Sequence, residues 1–270
     1  RPVVIGPGDP ELPERENRGG VEYRRIRLPG WSRWLYGRYR QRFPLYDRRV
    51  ARILREIKPE VVHVHNRPLL ALSLKSMLPA GVPIILHMHN LYESLGKRER
   101  PEAGTAIPVA AFVGCSRFVV ERERERLGLG ARGFEVVYNG VETPAFASIW
   151  EDEGLAGKAR KEYGLAGDPT VLFVGKLREA KGVGVLLQAM EQVWKALPQA
   201  ALVLVGGTEY GLGRTERETP FLRQLRRDMA AAPGKVVLTG FIPPARIARA
   251  YLLGDVFAGP SQVEEGLGMV

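Results

Sequence analysis

Three stretches of this 270-residue chain place chemically capable residue types at spacings that would let them act together. All four histidines fall in two short segments, HVHN at 63–66 and HMHN at 87–90. A glycine-bounded loop, GKLREAKG at 175–182, carries Lys176, Arg178 and Lys181. Near the end, EEGLG at 264–268 sets Glu264 and Glu265 ahead of Gly266, Leu267 and Gly268. Imidazoles two residues apart offer neutral donors and acceptors to hydroxyl groups, or lone pairs to a transition metal. Cations in a loop that feeds a helix add point charge to the free N–H groups and positive dipole end of that helix, which suits a phosphate. A carboxylate accepts paired hydrogen bonds from vicinal hydroxyls, and glycines beside it permit close backbone approach.

Each stretch also has a plainer reading. Side chains alternate along a strand, so His63 shares a face with His65, and His87 with His89. If the two strands are neighbours, four imidazoles cluster. The adjacent segments supply no carboxylate or thiolate at ligand spacing, so no metal site is expected. What remains is a choice between core histidines that are packed and hydrogen-bonded, and a polar role toward substrate for His65 or His89, with Asn66 and Asn90 beside them. The lysine loop matches neither GxxxxGK[ST] nor GxGxxG, and solvated lysines in a strand-to-helix turn would look the same. Glu264 and Glu265 read equally as surface acids. Taken together, phosphate-binding cations and a hydroxyl-binding acid describe a nucleotide sugar.

The elements that must position these residues are legible as short apolar runs alternating with amphipathic stretches, the signature of layered α/β domains. Strands are expected at 61–65, 83–89, 110–114, 135–139, 170–175, 201–206, 236–240 and 255–259. Most are apolar on successive residues, as in parallel strands covered on both faces. A helix is expected where Val183, Leu186, Leu187, Met190, Val193 and Trp194 recur at helical spacing. Another runs from Tyr46 to Ile57 and stops before Pro59. The strand-free segment 138–169 divides two series, with a linker near 143–156 followed by a short helix. Two Rossmann-like halves are therefore expected, about 1–145 and 146–270, with a cleft between them and ligands beyond the carboxyl ends of the strands.

Composition bounds the rest. Hydrophobic residues are 45% and charged residues 26%, which excludes a disordered or fibrous chain. No apolar run reaches the length of a membrane-spanning helix. A single cysteine, Cys115, forms no internal disulfide, in keeping with a reducing cytoplasm. The net charge of +10 favours anionic partners, or reflects an arginine-rich proteome without one. In WSRWLYGRYRQRFPLYDRR, 31–49, aromatic and arginine residues alternate. A partly buried amphipathic helix is the first reading, docking of Arg38, Arg40 and Arg42 to an anionic membrane or acceptor the second, and nucleic acid the last.

The ordered set VVHVHNRP, PIILHMHN, FVGCSRFVVERERERLGL, VVYNGVET, VLFVGKLREAKG, LVLVGG and VVLTGFIPPARIARAYLLGDVFAGPSQVEEGLG resembles the retaining glycosyltransferases of family four, over nearly the whole chain. HVHNRP, LHMHN and the SIWEDEG linker look closest to the spore-coat glycosyltransferase-like branch. The resemblance implies a GT-B fold, two Rossmann-like domains with parallel sheets facing a cleft. It also implies a metal-independent hexosyltransferase that moves a hexose from a nucleotide-diphosphate sugar, a UDP-sugar above others, to an acceptor hydroxyl on a glycan, lipid or protein. No cofactor is implied beyond that donor, and the expected location is cytoplasmic, membrane-associated or on the spore coat.

Residue by residue, the resemblance implies that Lys176 and Lys181 clamp the donor diphosphate beside Gly175. Lys176 stands where arginine is usual, and Ala180 gives AKG where EKG is usual. His89 matches the active-site histidine and Glu265 the first acid of an E-x7-E motif, the two catalytic assignments. The amides of Gly266, Leu267 and Gly268 would lie near sugar and phosphate, Phe241 and Ile242 would border the base, and His65, Asn66 and Asn90 would face the acceptor. The second acid would fall past Val270, and a first strand with its glycine-rich loop would precede Arg1, so a fragment lacking both ends is expected. Two other functions remain: a UDP-sugar epimerase on the same scaffold, and a non-catalytic coat or scaffold protein.

Overall fold

A computed structural model of the chain describes residues 1–9, 11–32, 43–91, 107–126, 133–165, 167–207 and 218–270. Arg38, Arg40 and Arg42, on which the membrane-docking reading rests, lie outside the described residues. The chain divides into two compact units, one of Arg1–Asn139 with Gly266–Gly268, the other of Gly140–Glu265 with Met269–Val270.

The first unit holds two sheets. In one, β1 (Val3–Pro7) pairs in parallel with β3 (Val21–Ile26), and β2 (Arg15–Arg18) pairs antiparallel with β3. The sequence pattern indicates no strand before residue 61, because these three lack the long apolar run that marks a buried strand. Cross-strand ion pairs do part of that work instead: Glu22 accepts from Arg15 of β2 at 3.1 Å and Glu16 of β2 from Arg25 at 2.7 Å, while Arg24, two residues along β3, also donates to Glu22 at 2.7 Å. The second sheet is parallel, in the order β4 (Val62–His65), β5 (Ile84–Met88), β6 (Ala111–Gly114), β7 (Phe134–Val136). Helices α1 (Pro44–Ile57), α2 (Pro68–Met77) and α3 (Arg117–Arg126) accompany it. Tyr46, Val50 and Leu54 of α1 join Val62, Val64, Leu86, Met88 and Phe112 in one core. Helix α1 stops where Lys58 turns left-handed, just before Pro59.

The second unit opens with α4 (Thr143–Trp150) and α5 (Glu153–Glu162). The segment expected as a linker from 143 is therefore helical over its first part: Pro144 sits in the first turn, where a helix tolerates it, rather than breaking one. Its four parallel strands run in the order β10 (Lys235–Gly240), β9 (Ala201–Val205), β8 (Thr170–Val174), β11 (Val256–Phe257). All of β9 is buried, because its residues feed two cores. Leu202 and Leu204 pack on one side with Leu186, Leu187, Met190 and Trp194 of α6 (Val183–Ala196) and Leu222 and Leu225 of α7 (Pro220–Ala231). Ala201, Val203 and Val205 pack on the other with Ala159 of α5, and with Ala250, Leu252 and Leu253, from α8 (Pro244–Ala250) and the turn after it.

Asp255 ties the edge of this sheet. It accepts both guanidinium branches of Arg160, at 2.8 and 3.0 Å, and the Thr170 N–H at 2.8 Å. The Arg160 hydrogen bond, with that from the Thr170 amide, outweighs burial and holds the Asp255 carboxyl below its ordinary 3.8. The stabilisation is complete above the unfolded value and is lost as pH falls through the lower folded one. Asp255→Ala is expected to cost about 1–2 kcal/mol near neutral pH, since Asp255 is itself half exposed. Thermal melts of the two proteins should converge as pH drops below 4; a constant difference would refute this role.

Candidate functional site

Strand β8 lies between β9 and β11, so the loops leaving β8 and β11 are neighbours at one end of the sheet. After β8 the chain passes Gly175 and Lys176, makes a 3-10 turn over Glu179–Lys181, and enters α6 at Gly182. Gly182 has φ 70°, and a Cβ there would lie 1.9 Å from the Pro260 carbonyl oxygen. Only glycine allows the two backbones to meet this way. The Gln262 N–H donates to the Ala180 carbonyl at 2.9 Å, closing the same contact.

On this junction Lys181 Nζ sits 2.7 Å from Glu265 Oε1, and the Ser261 hydroxyl donates to the same oxygen. Partial burial would raise the Glu265 carboxyl, but the hydrogen bonds from Lys181 and Ser261 and the lysine charge prevail and hold it below its ordinary value. Among the described residues no side chain caps α6, and its first turn carries no acid. A cation, a carboxylate and a helix N-terminus thus converge, the set that a sugar diphosphate requires. Lys176 is half-buried on a loop held rigidly: Gly175 N–H donates to Val205 at 2.9 Å and Leu177 N–H to Gly207 at 3.1 Å. Glu264 is exposed. Phe241 and Ile242 line a pocket of about 230 Å³ with Tyr163, Thr239, Arg246 and Arg249.

In the first unit β4 and β5 are adjacent, and the four imidazoles do cluster. His65 lies opposite His87 in register. Ring centroids are 4.2 Å apart for His63 and His65, 5.2 Å for His65 and His89, and 4.1 Å for His87 and His89. Asn66, left-handed at φ 53°, turns the chain out of β4, and its Oδ1 accepts the His89 N–H at 2.6 Å. Asn139 Oδ1 lies 3.1 Å from His89 Nδ1, and His65 Nδ1 lies 2.9 Å from His89 Nε2. An amide oxygen only accepts, so His89 donates from Nδ1; in its neutral tautomer the Nε2 then receives the His65 Nδ1–H. Burial first, then neighbouring histidine charge, pushes His65 and His87 down to about 4, so both are neutral near pH 7.

The expectation of packed, hydrogen-bonded inner histidines needs correction on both members. His63 is exposed, while His87 is buried with neither ring nitrogen hydrogen-bonded among the described residues. Asn90 is exposed beside His89. Gly266, Leu267 and Gly268 group with the first unit: Leu267 packs on its core, and the Gly266 carbonyl accepts from the Ser116 hydroxyl. Lys181 and Glu265 are thus brought together, as are His65, Asn66 and His89. Asn139 and Ser261 escape the sequence pattern. Each follows the end of a strand, β7 or β11, and that position is the signal that would have found them.

Comparisons with known proteins agree with these two units. A sequence family described as Glycosyltransferase Family 4 matches residues 1–144, and one described as Glycosyl transferases group 1 matches 157–270. The putative glycosyltransferase YtcC of Bacillus subtilis is 30% identical over 265 residues, which are 97% of this chain and 60% of YtcC. Spore coat protein SA of the same bacterium is 29% identical over 271 residues, 99% of this chain and 67% of that protein. The chain therefore spans 60% and 67% of the lengths of these two relatives. Among solved structures, Anabaena HepE in complex with UDP and glucose superposes with a TM-score of 0.69 at 19% identity, over 92% of this chain and 62% of HepE. Sucrose-phosphate synthase from Thermosynechococcus elongatus gives 0.68 at 19%, over 99% and 67%. The fold is α/β of the GT-B class.

The junction at Gly182 is directly testable. Gly182→Ala should cost about 1–3 kcal/mol, from the left-handed backbone and the Pro260 clash together. Gly184→Ala, with open space around it inside α6, should leave the melting temperature level or higher. Equal effects from the two would show that the loops do not depend on this contact.

Proposed function

The chain belongs to glycosyltransferase family 4, and from that premise we propose that it moves a hexose from a nucleotide-diphosphate sugar to an acceptor hydroxyl with retained anomeric configuration. The observation that carries this reading is the Lys181–Glu265 pair beside the N-terminus of α6. When a donor binds, Lys181 exchanges Glu265 for the diphosphate, and Glu265 turns to accept from sugar hydroxyls. As the bond from sugar to diphosphate breaks, positive charge grows on the sugar and negative charge on the leaving group. Lys176, Lys181 and the free amides of α6 stabilise the latter. These groups supply the charge a metal would otherwise supply, so the transfer is proposed to be metal-independent.

The acceptor hydroxyl attacks from the face the diphosphate leaves and passes its proton to the departing phosphate oxygen, which requires no nucleophile from the protein. His89, oriented by Asn139 and His65, is assigned a neutral hydrogen bond to the transferred sugar. His65, Asn66 and Asn90 are assigned to the acceptor side. UDP is the first choice of nucleotide, supported by the UDP of the HepE complex; Ile242 would then lie against the base. The relatives in Bacillus subtilis favour a cell-surface or spore-coat glycan as acceptor. The name of spore coat protein SA also favours a second reading, a non-catalytic coat protein that keeps the fold.

Thermal melts of the full-length protein with UDP, GDP and ADP separate the two. A ligand at a hundredfold excess over its Kd adds about 2.7 kcal/mol of stability. One nucleotide should stabilise the protein, and Lys181→Ala should remove most of that shift. Product analysis with the matching sugar donor should then show a glycoside and not an epimer. No shift with any nucleotide would favour the coat protein.

A further inference from the structure

Strand β4 reads Val62, His63, Val64, His65, so both valines enter the core of the first unit and both histidines project from the opposite face. His87 lies on that face of β5, directly across from His65. The ring centroids of His63, His65 and His87 are 4.2, 5.1 and 5.3 Å apart, and one ring nitrogen from each lies within 4.8 Å of the other two. His87 is only 7% exposed, and both of its ring nitrogens are buried without a hydrogen-bond partner among the described residues. Burying a polar group without a partner is costly, so a group kept this way calls for something that satisfies it.

We propose that His63, His65 and His87 form a tri-histidine site for a borderline divalent transition-metal ion, with Zn²⁺ as its reference occupant. The three imidazoles stand on adjacent strands of one sheet, which fixes their spacing better than loops would. A tetrahedral zinc with bonds of about 2.0–2.1 Å holds its ligand nitrogens roughly 3.3 Å apart. His63 is exposed and can swing inward by torsion of its side chain, while burial fixes His87 and the bond to His89 holds His65. Zinc takes the unprotonated ring nitrogens, so binding should weaken as pH falls.

His65 also has the outer bond that ligating histidines characteristically make. Its Nδ1–H donates to His89 at 2.9 Å, which leaves Nε2 as a lone pair and fixes the tautomer. Three nitrogen ligands leave a fourth position for water. Hard cations such as Mg²⁺ prefer oxygen, so this donor set should discriminate against them. The site shares no residue with the lysine and glutamate junction of the second unit. It does share His65 with the acceptor side proposed above, so a bound ion would stand beside the acceptor and apart from the charge stabilisation assigned to Lys176 and Lys181.

The test uses tag-free, chelator-treated full-length protein titrated with Zn²⁺ by calorimetry and with Co²⁺ by visible absorption. The expected result is one ion per chain, tetrahedral Co²⁺ bands and no competition from Mg²⁺. His63→Ala, an exposed change that should leave the melting temperature of the metal-free protein intact, should weaken binding at least about tenfold. His63→Asp, which keeps a ligating oxygen, should retain 1:1 binding. Absence of saturable binding, or Zn²⁺ affinity unchanged by His63→Ala, would overturn the proposal.

Discussion

The arrangement of the second unit depends on a close approach of two backbones. Gly182, at the threshold of α6, lies against the Pro260 carbonyl with no room for a Cβ. That contact brings the loop after β8 to the loop after β11, and with it Lys181 to Glu265. The parallel sheet makes the approach available, since strand order sets the loops side by side at one edge. Glycine then permits the last few ångströms. The buried cores on both faces of β9 keep the strands from shifting, so the chemistry of the loops rests on apolar packing some distance away.

In the first unit the corresponding constraint is the turn out of β4. Asn66 takes a left-handed backbone that its short polar side chain tolerates, and it uses that position to hold the amide of His89. His89 is thereby oriented from three directions, by Asn66 at its backbone and by His65 and Asn139 at its ring. An imidazole held this way is a directional hydrogen-bond partner.

Much of this was legible in the sequence because consecutive apolar residues mark strands covered on both faces. Strands β4 to β11 and helix α6 follow from that pattern alone. The first three strands do not, since β2 and β3 are held in part by arginine–glutamate pairs whose register is invisible without the partner strand. Helix α4 was hidden by a proline that falls harmlessly in its first turn. At the site, Lys181 and Glu265 were each read as ligand-binding, but their mutual pairing depends on strand adjacency, which a linear pattern does not encode. The same holds for Asn139 and Ser261. His87 lies deepest below what the sequence shows: its position on a buried strand is evident there, yet that its ring nitrogens have no hydrogen-bond partner among the described residues emerges only from the packing around it.

The central claim is that the Lys181–Glu265 pair is a donor site held closed by its own charges. A crystal structure of the full-length protein with a bound nucleotide sugar tests it most directly. The predicted result is that Lys181 Nζ leaves Glu265 for a phosphate oxygen at about 2.8 Å, with Glu265 turned to a sugar hydroxyl. A nucleotide sugar bound elsewhere, with the pair still intact at 2.7 Å, would contradict it.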